Sequence, residues 1–169
     1  DRGRSNFQFF SERLSQTSFN TLSLESRLRE AIREGAFALH FKPQVRVDTG
    51  LLVGVVALIR WPQRDGTMVM PNDFIPVAEK RGLIMPIGAW VIRQACRQNR
   101  MWQLAGLPRL PVAVNLSAPQ FTPDLPKLVA DSARAHGIDP GWIELEVTES
   151  MLIKSPEAAR RLLQQIAVR

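Results

Sequence analysis

Four polar residues stand at the ends of apolar, strand-like stretches, where an α/β protein keeps its chemistry. Arg60 closes the run LLVGVVALIRW, Asn115 follows the apolar PVAV, and Glu146 and Glu149 lie at the end of WIELEVTE. Because the carboxyl ends of parallel strands meet on one face of a sheet or barrel, we expect these side chains to line one pocket. A buried strand that ends in arginine predicts a bound anion there, and amide and carboxylate oxygens suit Mg²⁺ or Ca²⁺.

Glu144 and Glu146 are two residues apart on the same predicted strand, so their carboxylates point to one face. Two like charges at that spacing repel each other unless something positive lies between them. A metal ion would satisfy them, and so would an arginine from a covering helix. The spacing alone leaves both alternatives open.

Alternation of strands and helices predicts the elements that position these residues. The β-branched run Leu51–Trp61 is typical of a strand buried on both faces, and the order of elements is typical of a parallel sheet. The predicted strands are 37–47, 51–61, 111–116 and 142–148. The predicted helices run from an N-cap at Ser23 to Glu34, from a cap at Asn72 to Gly82, from Pro86 to Trp102, from 124 to 136, and from 155 to 166.

Composition excludes several classes of function. No apolar run approaches the ~20 residues of a membrane span, and the N-terminus has no signal-peptide pattern. His40 and His136 have no positioned Ser or Cys partner, so a nucleophilic triad is not expected. The net charge of +6 comes largely from arginines that alternate with Glu and lack interleaved aromatics, which argues against nucleic-acid binding. The single cysteine, Cys96, lies in a helical pattern and is expected to be buried; the tryptophans are expected to pack in the core.

Five motifs in a fixed order resemble one family. They are GVVALIRW (54–61), NDFIPVAE (72–79), GLIMPIGAWVI (82–92), VAVNLSAPQF (112–121) and ELEVTES (144–150). Together they resemble the EAL domain, a TIM-barrel-type family of bacterial phosphodiesterases and receptors for cyclic di-GMP. The resemblance implies an EAL domain over residues 23–169 and an α/β barrel-like fold. It also implies that residues 1–22 are a linker and the remnant of an upstream GGDEF-like domain, in a cytoplasmic protein or the cytoplasmic part of a membrane-attached one.

The resemblance also assigns site residues, with one departure. The family signature Glu-x-Leu-x-Arg keeps Leu58 and Arg60, but Val56 stands where the metal-ligating Glu is expected. The family's first-strand Gln is Lys42 here. The assigned ligand-binding residues are Lys42, Leu58, Arg60, Asp73 and Glu79, and the remnant metal ligands are Asn115 and Glu146. Because valine has no donor atom, any Mg²⁺ or Mn²⁺ is expected to bind weakly.

Only about four strands of an expected eight fit into this length, since further family motifs would follow Arg169. A half-barrel of this kind would need a dimer or a partner protein to cover its open edge. From these departures we expect a degenerate EAL domain that binds cyclic di-GMP or a protein without hydrolysis. The alternatives are a fragment of an active phosphodiesterase and a docking scaffold with no nucleotide function.

Overall fold

The computed structural model of this chain describes residues 22–147. The first helix, α1, covers residues 22–34. The strands are β1 (Ala38–Val45), β2 (Leu52–Pro62), β3 (Met68–Val69), β4 (Val112–Asn115) and β5 (Ile143–Glu146). The other helices are α2 (Pro71–Lys80), α3 (Ile84–Leu104) and α4 (Leu125–His136), with short 3-10 helices at Ala118–Gln120 and Pro140–Trp142.

One mixed sheet organises these elements in the order β1-β2-β4-β5. Strands β2, β4 and β5 are parallel, with helices in the connections between them, so the predicted α/β class is confirmed. Strand β1 runs antiparallel to β2, because a tight turn at 46–51 joins them and leaves no room for a crossover. Pro43 lies in β1, at the end of this strand order, where a missing backbone donor costs little.

The helices cover one face of the sheet and enclose the core. Val55, Ala57 and Trp61 of β2 point into it, and Phe74 of α2 is fully buried against Phe37 and Trp61. The expectation that β2 is buried on both faces was wrong. Leu52 and Val53 at its start are exposed, and its other face is only half-buried, because the helices described here lie on one side of the sheet.

Several predicted element ends were also wrong. Ser23 lies inside α1 instead of capping it, since Leu22 is already helical. Helix α2 begins at Pro71 with Met70 at the cap position, because a proline without an N–H group fits the first helical position better than Asn72 does. Trp142 belongs to a 3-10 turn, so β5 is shorter than predicted. The predicted helix at 155–166 lies outside the described residues, as do residues 1–21 of the expected linker and remnant.

Among the described residues no helix is both long enough and apolar enough to cross a membrane.

Helix α3 carries the buried residues that join the sheet to the helical layer. Asn99 of α3 is buried, and its amide donates to the Leu110 carbonyl at 2.9 Å and to the Trp142 carbonyl at 3.4 Å. These bonds connect α3 to the segments that lead into β4 and β5.

Cys96 is fully buried in α3, and burial raises the pKa of its thiol to about 11. A raised thiol pKa means that the neutral, unreactive form dominates at pH 8, where an ordinary cysteine already carries some thiolate. We therefore expect iodoacetamide to label Cys96 slowly in the folded protein at pH 8 and rapidly in urea, as followed by mass spectrometry. Equal rates in the two states would contradict this packing.

Candidate functional site

The face of the sheet opposite the helices collects the polar residues predicted from the sequence. Val56, Leu58 and Arg60 alternate onto this inner face of β2, since Val55, Ala57 and Trp61 point to the core. In the strand register Val56 lies beside Ala113, and Asn115 lies beside Glu146, so β4 and β5 present Asn115, Glu144 and Glu146 on the same side. The expected convergence at the ends of β4 and β5 is therefore present. Glu149 lies outside the described residues.

Arg60 is a half-buried cation at the end of β2. Its Nη1 donates to the carbonyl of Ile59 at 2.8 Å. Among residues 22–147 no carboxylate lies within salt-bridge distance of its guanidinium, although the exposed arginines 29, 46, 64 and 81 each have one. A partly desolvated guanidinium favours a nearby anion, and the planar N–H groups of an arginine can donate to phosphate oxygens.

A cavity of about 340 Å³ lies at this end of the sheet, between β2 and the helices α2 and α3. Its apolar lining includes Ala57, Ile75 and Ile87. Its polar lining comes from Arg60 and from the segment after β4. This cavity lies on the helix side of β2, so it adjoins the inner face only at the end of the strand, where Arg60 is.

The segment that follows β4 is held by a network that the sequence analysis did not predict. Ser117 Oγ donates to Glu79 Oε1 at 2.6 Å, which ties this segment to the end of α2. The backbone N–H of Ser117 donates to Gln120 Oε1 at 2.9 Å and closes a capping box. Gly88 of α3 makes room for the Gln120 amide, because a Cβ there would lie 1.5 Å from Gln120 Nε2. The pattern Ser-x-x-Gln at 117–120 is a capping-box signature, and it could have predicted the contact between Ser117 and Gln120.

The remaining predicted site residues are divided between this face and the helical layer. Lys42 of β1 is exposed and is the direct cross-strand neighbour of Val56. Asp73 is exposed in the first turn of α2. Glu146 is half-buried, and its Oε1 accepts from Gln44 Nε2 at 3.4 Å. Glu144 is exposed, and within residues 22–147 neither of these two glutamates has an arginine partner.

Comparison with known proteins identifies the family. The sequence model described as the EAL domain matches residues 25–169, most of the chain. The chain belongs to the EAL domain family. The EAL sequence is 37% identical over 168 residues to the bifunctional diguanylate cyclase/cyclic di-GMP phosphodiesterase MucR of Pseudomonas aeruginosa, covering 99% of this chain and 24% of MucR. It is 35% identical over 165 residues to the cyclic di-GMP phosphodiesterase NbdA of the same species, covering 97% of this chain and 21% of NbdA.

A solved structure confirms the EAL fold. The structure of the PaMucR phosphodiesterase in complex with c-di-GMP superposes with a TM-score of 0.82 at 38% identity. The match covers 86% of this chain and 60% of that one. This EAL chain thus spans about a quarter or less of the two curated relatives, so what their other parts do says nothing directly about it.

Within residues 22–147, the donor set on the inner face offers few ligands for the divalent metal implied by the family. Val56 contributes no donor atom, and the amide of Gln44 already contacts Glu146. Within the described part of the chain no group of three His, Cys, Asp or Glu side chains lies close enough to hold a metal ion. Asn115 and Glu146 are neighbours in the register and supply one amide oxygen and one carboxylate to this face.

Proposed function

We propose that this EAL domain binds cyclic di-GMP at the inner face of the sheet and does not hydrolyse it, acting as a receptor or interaction module in bacterial signalling. The observation that carries the proposal is Arg60, a half-buried guanidinium at the end of β2 on this face, with no carboxylate partner in residues 22–147. The MucR structure, obtained with c-di-GMP, supports the choice of ligand.

The chemistry of the ligand suits this face. A cyclic dinucleotide carries two phosphodiester charges and two flat bases. Arg60 offers several donors in one plane to a phosphate, and Lys42 offers a second positive charge. Leu58 lies between them on β2 as an apolar contact for the ligand. Asp73 and Glu79 stay in the proposal as polar contacts implied by the family resemblance, although α2 lies on the helix side of the sheet and Glu79 also accepts from Ser117.

We expect no hydrolysis because Val56 stands where the family signature has a metal-ligating Glu. Metal-assisted phosphodiester hydrolysis needs an ion that activates water and stabilises developing charge. Removing a ligand from such a site costs several kcal/mol of transition-state stabilisation, and each ~1.4 kcal/mol is a factor of ten in rate. The residues of the inner face therefore bind and orient the ligand, and the apolar wall at Val56 leaves the ligand intact.

Two measurements on the purified chain test this proposal. Isothermal titration with cyclic di-GMP is expected to give a saturable signal. Chromatography of the same mixture with Mg²⁺ or Mn²⁺ is expected to show no linear dinucleotide. Linear product at an ordinary enzymatic turnover would favour the second candidate, an active phosphodiesterase, which the names of MucR and NbdA support. If cyclic di-GMP gives no heat and no change in melting temperature, the remaining candidate is a docking scaffold with no nucleotide function.

The remaining parts of the proposal concern what surrounds the domain. We place it beside an upstream GGDEF-like or sensor domain in the cytoplasm. A dimer or a partner protein that covers an exposed strand edge also stays a prediction from the sequence. Size-exclusion chromatography with light scattering, with and without cyclic di-GMP, measures the oligomeric state directly.

A further inference from the structure

We infer that the cavity between β2, α2 and α3 is a second binding site, which takes an aliphatic carboxylate with its chain among the helices and its head at Arg60. This site lies on the helix side of the sheet, whereas the proposed cyclic di-GMP site lies on the inner face. The aliphatic ligand does not depend on cyclic di-GMP. Only a competition between the two ligands rests on the function proposed above.

The cavity is large for a space between packed layers. Its volume of about 340 Å³ is within the range of ligand pockets, whereas the voids of a close-packed core are rarely larger than a water molecule. Most of its lining is aliphatic and comes from β2, α2 and α3: Ala57, Ile59, Ile75, Ile84, Ile87 and Val91. The three residues of α3 are buried in the core. The cavity therefore has room for an apolar part of a ligand.

The lining favours a flexible chain over a flat ring. None of the residues within 22–147 that line the cavity is aromatic, so a base or another flat ring has no partner for stacking there. Ile84, Ile87 and Val91 follow one face of α3 and extend over about 10 Å of its axis. An extended aliphatic chain can contact all three of these side chains.

Water is a poor occupant of this cavity. A buried water needs several polar partners. Ser117 and Gln120 line the cavity, but Ser117 Oγ donates to Glu79, and Gln120 Oε1 accepts from the backbone N–H of Ser117. The segment after β4 therefore offers few free groups to water. Replacing weakly held water by an apolar chain is favourable.

Arg60 determines the charge of the ligand. It carries the only charged side chain among the described residues that line the cavity, and it lies where the cavity adjoins the inner face. Its guanidinium is half-buried and donates from Nη1 to the carbonyl of Ile59. The planar donors of a guanidinium match the two oxygens of a carboxylate. A single cation at the mouth of an aliphatic cavity thus selects a monoanion with an apolar chain.

The position of Arg60 couples this cavity to the inner face. A guanidinium that binds a carboxylate has fewer donors left for a phosphate. An aliphatic carboxylate is therefore expected to weaken the binding of cyclic di-GMP, and the effect is reciprocal by thermodynamic linkage.

Isothermal titration of the purified chain with octanoate, hexanoate and octanol tests the chain and the head of the ligand separately. The wild type is expected to bind octanoate saturably. Hexanoate should bind about 15-fold more weakly, since it lacks two methylene groups and each buried methylene contributes roughly a factor of four. Octanol keeps the chain without the charge, so it should also bind more weakly than octanoate. Arg60→Ala should remove this difference between octanoate and octanol, whereas Arg64→Ala should keep it, because Arg64 is exposed and pairs with Glu34.

Cavity-filling variants test the location of the site. V91F and I75F each place a ring in the cavity from a different helix, and each should abolish octanoate binding. M85F is the matched control, since Met85 is exposed on α3 and does not line the cavity, and its affinity should be that of the wild type. The melting temperature without ligand checks that each variant folds.

The inference is overturned if the wild type gives neither saturable heat nor a rise in melting temperature with octanoate. It is also overturned if Arg60→Ala weakens octanoate and octanol equally, or if a folded cavity-filling variant binds octanoate like M85F. The comparison of octanoate with octanol decides the matter if neither V91F nor I75F folds. Equal affinity for cyclic di-GMP with and without octanoate would overturn the placement of the carboxylate at Arg60. If octanoate binds and cyclic di-GMP does not, the proposed function fails and the aliphatic site stands.

Discussion

Gly88→Ala is expected to destabilise the protein, although alanine is the better residue for a helix interior. The replacement gains about 1 kcal/mol of helix propensity in α3. Against this, the new Cβ would lie 1.5 Å from Gln120 Nε2 and 2.7 Å from Gln120 Cδ. The buried amide must move, and the N–H of Ser117 loses its acceptor. Such a loss costs about 1–3 kcal/mol in addition to the steric overlap. We expect a net loss of about 1–2 kcal/mol in urea unfolding, with an unchanged m-value.

The control for this prediction changes Gln120, the residue that the new methyl group would strike. In a Gln120→Ala background the amide is gone, so Gly88→Ala should stabilise the protein by its helix propensity alone. The same substitution is thus expected to change sign between the two backgrounds, which a general loss of packing would not produce. Ser117→Ala is a second control, since it keeps the backbone N–H bond to Gln120 and removes only the hydroxyl bond to Glu79. If Gly88→Ala destabilises the wild type and the Gln120→Ala variant equally, the contact with Gln120 is not the cause of the destabilisation.

Local patterns were sufficient to predict the frame of this site. The β-branched apolar run Leu51–Trp61 predicted β2 and its terminal Arg60, and the predicted end of α4 at 136 is confirmed, since Gly137 follows it with a φ of +67°. The rule that parallel strands end on one face predicted that Asn115 and Glu146 would meet, which the register of β4 and β5 confirms. These features depend on residues within one strand or one turn, so the sequence carries them directly.

Long-range contacts were the part that could not be predicted. Gln44 and Glu146 are 102 residues apart, and their contact depends on the full order of the sheet. Gly88 and Gln120 meet only because α3 packs against the segment after β4, so the glycine had no visible role in a helical pattern. The burial of β2 was overestimated for a related reason. Its composition shows what can be buried, but the number of layers that cover each face is set by other elements.

Arg60→Ala is expected to weaken cyclic di-GMP binding by about 10- to 100-fold. A hydrogen bond to a charged group contributes about 1.5–3 kcal/mol, and a half-buried guanidinium that binds phosphate makes more than one. The fold should tolerate the change, because the only side-chain hydrogen bond of Arg60 within residues 22–147 goes to the neighbouring Ile59 carbonyl. Isothermal titration measures the affinity, and the melting temperature without ligand checks the fold.

Two further variants separate charge from geometry at this position. Arg60→Lys keeps the positive charge but loses the planar donors, so an intermediate affinity is expected if the phosphate is bound by two oxygens at once. Arg64→Ala removes the same charge from the turn after β2, where the guanidinium is exposed and pairs with Glu34, and it should leave the affinity unchanged. If Arg64→Ala weakens binding as much as Arg60→Ala, the attraction comes from net charge alone and should fall steeply with salt. If only the changes at position 60 weaken binding, the ligand contacts the inner face at the end of β2.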